Sequence, residues 1–277
     1  MARFPVFIFV VCFPVFGASG AATIDAAVQQ MYNFDFSASH QILNQCIAAH
    51  PQDPLPYAFR AAADLFYEMD RLGILESEFL VDDKRIVAKK KLQPDAAVRA
   101  QFYKALDDTG SRAEAALGAN PNDCSALFAM CISQGVATDY MALVEKRQLL
   151  SLSPARRSNN YAQRLLRLDP KYYDAYLTTG FSEYMIGSLP FIIRWFVHFD
   201  NVSGSKDRGV EDLRLVAREG HYFKPFAKIL LGVVDLREKK PQEARDLLID
   251  LARDYPDNPL FRKELAKVTA AIGGAGN

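Results

Sequence analysis

Apolar residues recur along the chain at the three- and four-residue spacing of amphipathic helices, and strand-like alternation is not strongly indicated. The pattern predicts helices over residues 24–33, 37–50, 56–71, 76–91, 94–117, 123–135, 140–150, 154–168, 172–186, 190–198, 206–219, 223–238, 241–255 and 259–272. Residues 273–277 are mostly small and are expected to form a disordered tail. We therefore expect an all-α fold.

Four short proline-containing segments, at residues 51–54, 120–123, 169–171 and 256–259, separate predicted helices. Proline ends a helix at the residue before it and is accepted in the first turn of the next, so each segment predicts a helix-to-helix hinge. The first two lie 70 residues apart and the first and last 205, close to two and six units of about 34 residues. Longer intermediate gaps predict insertions near 73–93, 136–152 and 187–206.

The first 22 residues have the pattern of a secretory signal peptide. Arg3 supplies a positive charge, an apolar run extends from Phe4 to Phe16, and small residues occupy positions 17–22. The apolar run is about 13 residues long, whereas a membrane-spanning helix needs about 20. We expect cleavage after residue 20 or 22 and an exported protein, either periplasmic or secreted.

Charge narrows the function further. The chain has 33 basic and 33 acidic residues, so removal of the leader with Arg3 leaves a net charge of −1. Nucleic acid is held mainly by neutralisation of its phosphates, and we therefore expect no nucleic-acid partner.

Three cysteines remain outside the leader. Cys124 and Cys131 would lie about 10.5 Å apart on one helix, which is beyond the roughly 7 Å limit for a disulfide. Two alternatives stay open: a bond from Cys46 to one of them, or three buried thiols.

One unit near the C-terminus resembles the tetratricopeptide repeat. In that pattern glycine or alanine lets two antiparallel helices approach closely, so that a bulky side chain can insert between them. The residues that carry the resemblance are Leu231, Gly232, Ala244, Leu248 and Pro256, with Tyr176, Gly180 and Tyr184 in a second unit. The resemblance, of secreted bacterial type, implies an α-α superhelix, or solenoid, with insertions over residues 23–272.

The stretch from residue 187 to residue 213 is similar to a distinctive insertion in one branch of tetratricopeptide proteins. That branch includes outer-mitochondrial-membrane members, which also carry a Leu-Pro helix followed by a glycine-containing turn and helix. Here Leu189-Pro190 and the turn before Gly209 hold the corresponding positions. The likeness supports the fold and carries no function by itself.

No assembled catalytic or metal-binding pattern is visible. The four histidines have no ligand spacing, and Ser203 and Lys206 match a Ser-x-x-Lys pattern without the companion motifs of the enzymes that use it. A glycine-rich turn with Ser205 as a helix cap is the expected role of this segment. We expect no enzyme activity, no cofactor and no metal.

In a tetratricopeptide array the first helix of each pair lines the concave side, so the resemblance implies which side chains face a groove. They are mostly apolar: Phe128, Ile132, Leu177, Phe181, Tyr184, Ile229 and Val233. An apolar surface of this size needs a cover. One cover is the chain's own aromatic insertion at 189–199, with Arg194, Trp195 and Phe196; the other is an external ligand that these three residues would also contact.

Two functions follow as hypotheses. The first is non-catalytic binding or scaffolding of envelope proteins or their peptide segments. The alternative is a periplasmic accessory protein of a transport system that binds an apolar or lipidic small molecule. The insertion at 189–199 also has enough amphipathic character for peripheral membrane contact, and the oligomeric state stays open.

Overall fold

The computed structural model describes residues 22–77, 81, 92–189 and 202–274. Within these residues every regular element is helical and none is a strand, which confirms the expected all-α class. The predicted leader up to residue 21, the helix at 190–198 and nearly all of the helix at 76–91 lie outside the described residues, as do the last three residues of the predicted tail. Residues 273 and 274 of that tail belong to the last helix instead.

Eleven α-helices are present in the described part of the chain, and most of their bounds lie within three residues of the prediction. They are α1 (Ile24–Tyr32), α2 (Phe36–Ala49), α3 (Leu55–Arg71), α4 (Ala96–Ala119), α5 (Cys124–Asp139), α6 (Gln148–Leu168), α7 (Tyr176–Ser188), α8 (Lys206–Glu219), α9 (Lys224–Arg237), α10 (Pro241–Asp254) and α11 (Pro259–Gly274).

Side-chain caps fix where several helices begin. Asp35, Asp95, Asp123 and Ser205 each accept a hydrogen bond from a backbone N–H two or three residues later in the chain. These bonds satisfy donors that the first helical turn leaves without a partner, and each contributes about 1 kcal/mol. All four predicted hinges lie between two helices, and the hinge at 120–123 ends on the cap Asp123.

Each helix packs against the next one along the chain, from α1 to α11. Short connections join most of these neighbours, so the pairs are antiparallel. The largest apolar core lies among α1, α2, α3, α5 and α6, and a second one lies among α7, α8 and α9. This order gives a chain of helix pairs, each buried mainly by its sequence neighbours.

The two ends of this chain of helices meet. The Asn258 amide, before α11, donates a 2.7 Å hydrogen bond to the Tyr32 carbonyl oxygen at the end of α1. On α11, Lys263 Nζ lies 2.7 Å from Glu76 Oε1, just after α3. The C-terminal helices therefore return to the N-terminal ones and close the arrangement.

Residues 140–154 differ from the prediction of a helix at 140–150 and another beginning at 154. A π-helical turn covers Tyr140–Val144, and α6 already begins at Gln148 and runs through Pro154. The Gln148 amide donates to the Ala142 carbonyl oxygen at 3.3 Å, and the Ser151 hydroxyl donates to the Gln148 carbonyl oxygen at 2.7 Å. These bonds stabilise an extra first turn ahead of the buried proline, which would ordinarily mark a helix start.

The sequence predicted that Gly180, Gly232 and Ala244 let neighbouring helices approach closely, and the structure has this close approach at Gly180 but not at Gly232. Gly180 lies where α7 crosses α8, and a Cβ on it would stand 2.7 Å from the Cβ of Asp212. Ala244 is fully buried. The expectation for Gly232 was wrong: although this residue is buried, an added Cβ would meet nothing within 4 Å.

One stretch among the described residues, Cys124–Val144, passes a test of length and composition for a membrane-crossing helix, with 21 residues and a mean hydropathy of 1.4. In this protein 56% of its most apolar window is buried. It consists of α5 and the π-helical turn, and α5 contributes Leu127 and Phe128 to the main core. A core helix has this composition for reasons of packing, so the finding is weak evidence for a membrane span.

Candidate functional site

The predicted groove divides into core residues and partly accessible residues. Phe128 is fully buried and Ile132 is 4% exposed, and both belong to the main core. Leu177 belongs to the second core. Tyr184 is buried, with Lys206 Nζ 5.8 Å from its ring centroid.

The other predicted groove residues are placed differently. Phe181, Ile229 and Val233 are half-buried on α7 and α9, and belong to none of the buried core clusters. Arg194, Trp195 and Phe196 lie outside the described residues. The structure therefore buries Phe128 and Ile132 together in the main core, whereas Phe181 stays partly exposed on α7.

Phe128, which was predicted to line the groove, is covered by the chain itself, through the connection between α8 and α9. The ring of Tyr222 lies 5.0 Å from that of Phe59 and stacks at 6.1 Å on that of Phe128, measured between centroids. Phe223 lies 5.6 Å from Phe128. These two aromatic residues, which the sequence pattern did not single out, occupy the place where an external ligand was a possibility.

A buried carboxylate holds this connection in place. Asp174, in a short 3₁₀ turn before α7, accepts hydrogen bonds from the backbone N–H groups of His221, Tyr222 and Phe223 at 3.0, 3.2 and 2.9 Å. Burial raises the pKa of Asp174, although the three N–H donors act in the opposite direction. The side chain thus fixes the position of both aromatic rings through their backbone.

A second buried carboxylate, on α7 itself, holds the other end of α8. Glu183 on α7 accepts from the backbone N–H groups of Ser203 and Ser205, at 3.0 and 2.9 Å, and from the Ser203 hydroxyl at 2.9 Å. Burial opposes ionisation here, but the hydrogen bonds prevail and lower the pKa of Glu183. Asp174 and Glu183 therefore fasten the segments on both sides of α8 to the α7 region.

The serines of the glycine- and serine-rich turn form structural hydrogen bonds. The Ser203 hydroxyl donates to Glu183, and the Ser205 hydroxyl accepts from the Arg208 N–H at 3.3 Å, as the cap prediction required. The Lys206 ammonium lies over the Tyr184 ring. Neither serine is therefore arranged with Lys206 as a nucleophile and its base.

Two of the three histidines in the described residues contact carboxylates. His221 Nε2 contacts Asp25 Oδ1, and His40 Nε2 lies 3.1 Å from Asp64 Oδ1. In the part of the chain that the structure describes, no group of three or more His, Cys, Asp or Glu side chains is placed to hold a metal ion. Both imidazoles are thus engaged in contacts with single carboxylates.

Cys46, Cys124 and Cys131 are unpaired thiols, so the predicted disulfide alternative is wrong. Cys46 and Cys131 are buried, as the other alternative expected, and Cys124 is partly exposed. Burial raises the pKa of each thiol. Cys131 Sγ lies 3.2 Å from the Thr178 hydroxyl, between α5 and α7. A buried thiol with a raised pKa is a poor nucleophile, so Cys46 and Cys131 act as small core side chains.

The most distinctive open surface is a basic face on α6, and it was not predicted from the sequence. A surface cavity of about 330 Å³ is lined by Arg157, Asn160, Tyr161, Arg164 and Arg167. Arg157 Nε donates to Gln134 Oε1 at 2.8 Å, and Arg164 Nη2 donates to the Pro121 carbonyl oxygen. We call these three arginines with Asn160 and Tyr161 the arginine face. Its signal in the sequence is an arginine repeated after seven residues, or about two helical turns.

A second surface cavity of about 190 Å³ lies between the end of α3 and α11. Its charged residues are Asp70, Glu76 and Lys263, and the last two pair with each other. Because its charges are mixed and already partly paired, it offers no single chemistry to a ligand.

Comparisons with protein-family models, with curated proteins and with solved structures give no match. The tetratricopeptide resemblance therefore rests on the residues and the helix order alone.

Proposed function

We propose that this chain is an exported, non-catalytic binding or scaffold protein of the cell envelope, built from tetratricopeptide-like helix pairs. The observation that carries the proposal is the order of packing, in which every helix from α1 to α11 contacts its sequence neighbour. Repeat proteins use this order to form an extended surface for other proteins. The leader sequence supports an envelope or extracellular location.

The use of the polar side chains also supports binding over catalysis. Asp174 and Glu183 are committed to backbone N–H groups, and Ser203 and Ser205 to structural hydrogen bonds. The small-molecule alternative receives no specific support, because Tyr222 and Phe223 already cover Phe128. The predicted groove residues that are partly exposed, Phe181 among them, stay accessible to a protein partner.

The test is a pull-down from envelope extract with the full-length, tagged protein after export. We compare wild type with Phe181→Asp. The matched control is Ile249→Asp, because the Ile249 side chain is exposed on α10. The proposal expects wild type and the control to retain the same proteins, and Phe181→Asp to lose some of them. Circular dichroism checks that all three are folded. If wild type retains nothing that Phe181→Asp does not retain, the proposal is wrong.

A further inference from the structure

The arginine face of α6 carries positive charge that the rest of the described chain does not neutralise. Among the described residues, no ion pair involves Arg157, Arg164 or Arg167, and no carboxylate lines the cavity that they form. Cations elsewhere are treated differently: Arg99, for example, pairs with Glu145 at 2.8 Å. Like charges on one helix face repel and lower helix stability, so this face gains from an anionic partner.

Two of the three guanidinium groups are oriented without being neutralised. Arg157 is held by the amide oxygen of Gln134 on α5, and Arg164 by the Pro121 carbonyl oxygen before α5. Both acceptors are uncharged. A guanidinium has five N–H donors, so each of these arginines keeps donors for a further acceptor while its position is restrained. Tyr161 packs against the cluster of Ala113, Ala126 and Met130, and forms a fixed part of the cavity wall.

The length of the face selects an extended anion. Arg157 and Arg167 are ten residues apart, and their Cα atoms are therefore separated by about 15 Å along the helix. A single phosphate or carboxylate cannot reach both, whereas about five residues of extended peptide can. Carboxylates match the planar fork of arginine with two parallel hydrogen bonds.

Other extended anions fit less well. A nucleic acid is held by many cations, and this chain offers three of them on a molecule of nearly zero net charge. A membrane-surface helix needs a continuous apolar face beside its cations. The exposed leucines of α6, Leu149, Leu150 and Leu168, lie at its two ends, and no aliphatic side chain lines the cavity between them.

We propose that the arginine face binds an acidic segment of a partner protein, with Arg157, Arg164 and Arg167 each pairing with a carboxylate. This inference rests on the proposed function, because it names the chemistry of one partner surface. It places that contact at a cavity on α6 that Tyr222 and Phe223 do not line.

The test measures binding of the whole exported protein to a labelled peptide with about six consecutive glutamates, which is about 20 Å long when extended. The same peptide with glutamines is the charge control. The test variant is Arg157→Gln/Arg164→Gln/Arg167→Gln, and the matched variant is Arg208→Gln/Arg214→Gln/Arg218→Gln on exposed positions of α8. Thermal melts by circular dichroism check folding of both variants.

The proposal expects the glutamate peptide, and not the glutamine peptide, to bind wild type at low salt. Three exposed ion pairs predict about a tenfold loss of affinity in the α6 variant. The α8 variant should bind within about twofold of wild type. No binding of the glutamate peptide to wild type, or an equal loss in both variants, overturns the proposal. Binding of phosphatidylglycerol vesicles through the same arginines, without binding of the peptide, overturns it in favour of a membrane contact.

The two proposals can fail separately. If the envelope pull-down retains partners while the glutamate peptide does not bind, the proposed function stands and this inference is wrong. If the peptide binds through the arginine face but wild type retains no envelope protein, the proposed function is wrong while the acidic-peptide site remains.

Discussion

Gly180 and Gly209 face each other where α7 crosses α8, with no side chain between the two backbones. A Cβ on Gly209 would stand 2.6 Å from the Gly180 carbonyl oxygen and 2.6 Å from the Tyr184 backbone nitrogen. Both neighbours are backbone atoms, so they cannot move aside as a flexible side chain does. The two glycines therefore set how closely this helix pair packs, and Asp174 and Glu183 hold the same pair at its ends.

Gly209→Ala is expected to destabilise the protein by about 1–3 kcal/mol, because the added methyl group overpacks the helix crossing. Gly232→Ala is the matched control, since its methyl group meets nothing within 4 Å. Alanine there should stabilise the helix by about 0.4–1 kcal/mol. Urea unfolding followed by circular dichroism measures both free energies. Equal effects of the two substitutions would contradict the close crossing.

Glu183→Gln should lower the free energy of unfolding at neutral pH by about 1–3 kcal/mol, because a charged acceptor of several N–H and O–H donors is lost. The folded-state pKa of Glu183 lies below its usual value of 4.5. Its ionisation therefore stabilises the fold above that value, and the contribution is lost as the pH falls through the folded-state pKa. The difference between wild type and variant should shrink in acid. A difference that stays constant down to about pH 3 would argue against the ionised clamp.

Asp174 should show the opposite slope. Its pKa is raised above 3.8, mainly by burial, so the folded protein binds the proton more tightly than the unfolded chain does. Stability relative to Asp174→Asn should therefore increase as the pH falls from about 7 towards about 4. Unfolding curves at several pH values measure this slope, and a slope of the same sign as that of Glu183 would be inconsistent with the effect of burial.

Phe128→Ala is expected to cost about 3–5 kcal/mol of stability, because this ring is fully buried beneath Tyr222 and Phe223. Phe181→Ala should cost only about 1 kcal/mol, since the Phe181 side chain is half-buried. Thermal and urea unfolding separate the two. A Phe128→Ala variant as stable as Phe181→Ala would contradict the burial of Phe128 beneath Tyr222 and Phe223.

Asn258→Asp distinguishes the effects of two hydrogen bonds of Asn258, the one that caps α11 and the one that joins the two ends of the fold. Aspartate keeps the acceptor that receives the Leu260 N–H at 2.9 Å, but it loses the donor to the Tyr32 carbonyl oxygen. Because the site is fully buried, we expect a loss of about 1–3 kcal/mol at neutral pH. Protonation of the new carboxyl in acid restores a donor, so the loss should become smaller there. A variant as stable as wild type at neutral pH would contradict the closing contact.

Local sequence signals predicted the helices well. The range 206–219 was predicted for α8 and is the observed one, since Ser205 caps its start and Gly220 follows its end. Hinges with proline behaved as expected for the same local reasons. At Gly232 the pattern correctly predicted a buried helical residue, but the predicted close contact with another helix is absent. Such a contact depends on the residues of the opposing helix, which the local pattern does not specify.

The arrangement around the candidate sites depends on distant partners and could not be predicted in this way. Asp174 binds backbone groups 47 to 49 residues later in the chain, and no periodicity reports such a pairing. The arginine face also has no local signature of function, since exposed arginines on a helix usually form a solvated surface. Only the absence of carboxylates around Arg157, Arg164 and Arg167 in the described structure distinguishes it.

The central structural claim is that the chain of helix pairs closes on itself, and a zero-length carbodiimide cross-link tests it most directly. Lys263 Nζ and Glu76 Oε1 lie 2.7 Å apart although 187 residues separate them. In the monomeric fraction, mass spectrometry should find a peptide containing Glu76 joined to one containing Lys263. The pair Lys228 and Asp250, at 2.9 Å within α9 and α10, is the internal control. Recovery of the control link without the link from Lys263 to Glu76 would contradict closure.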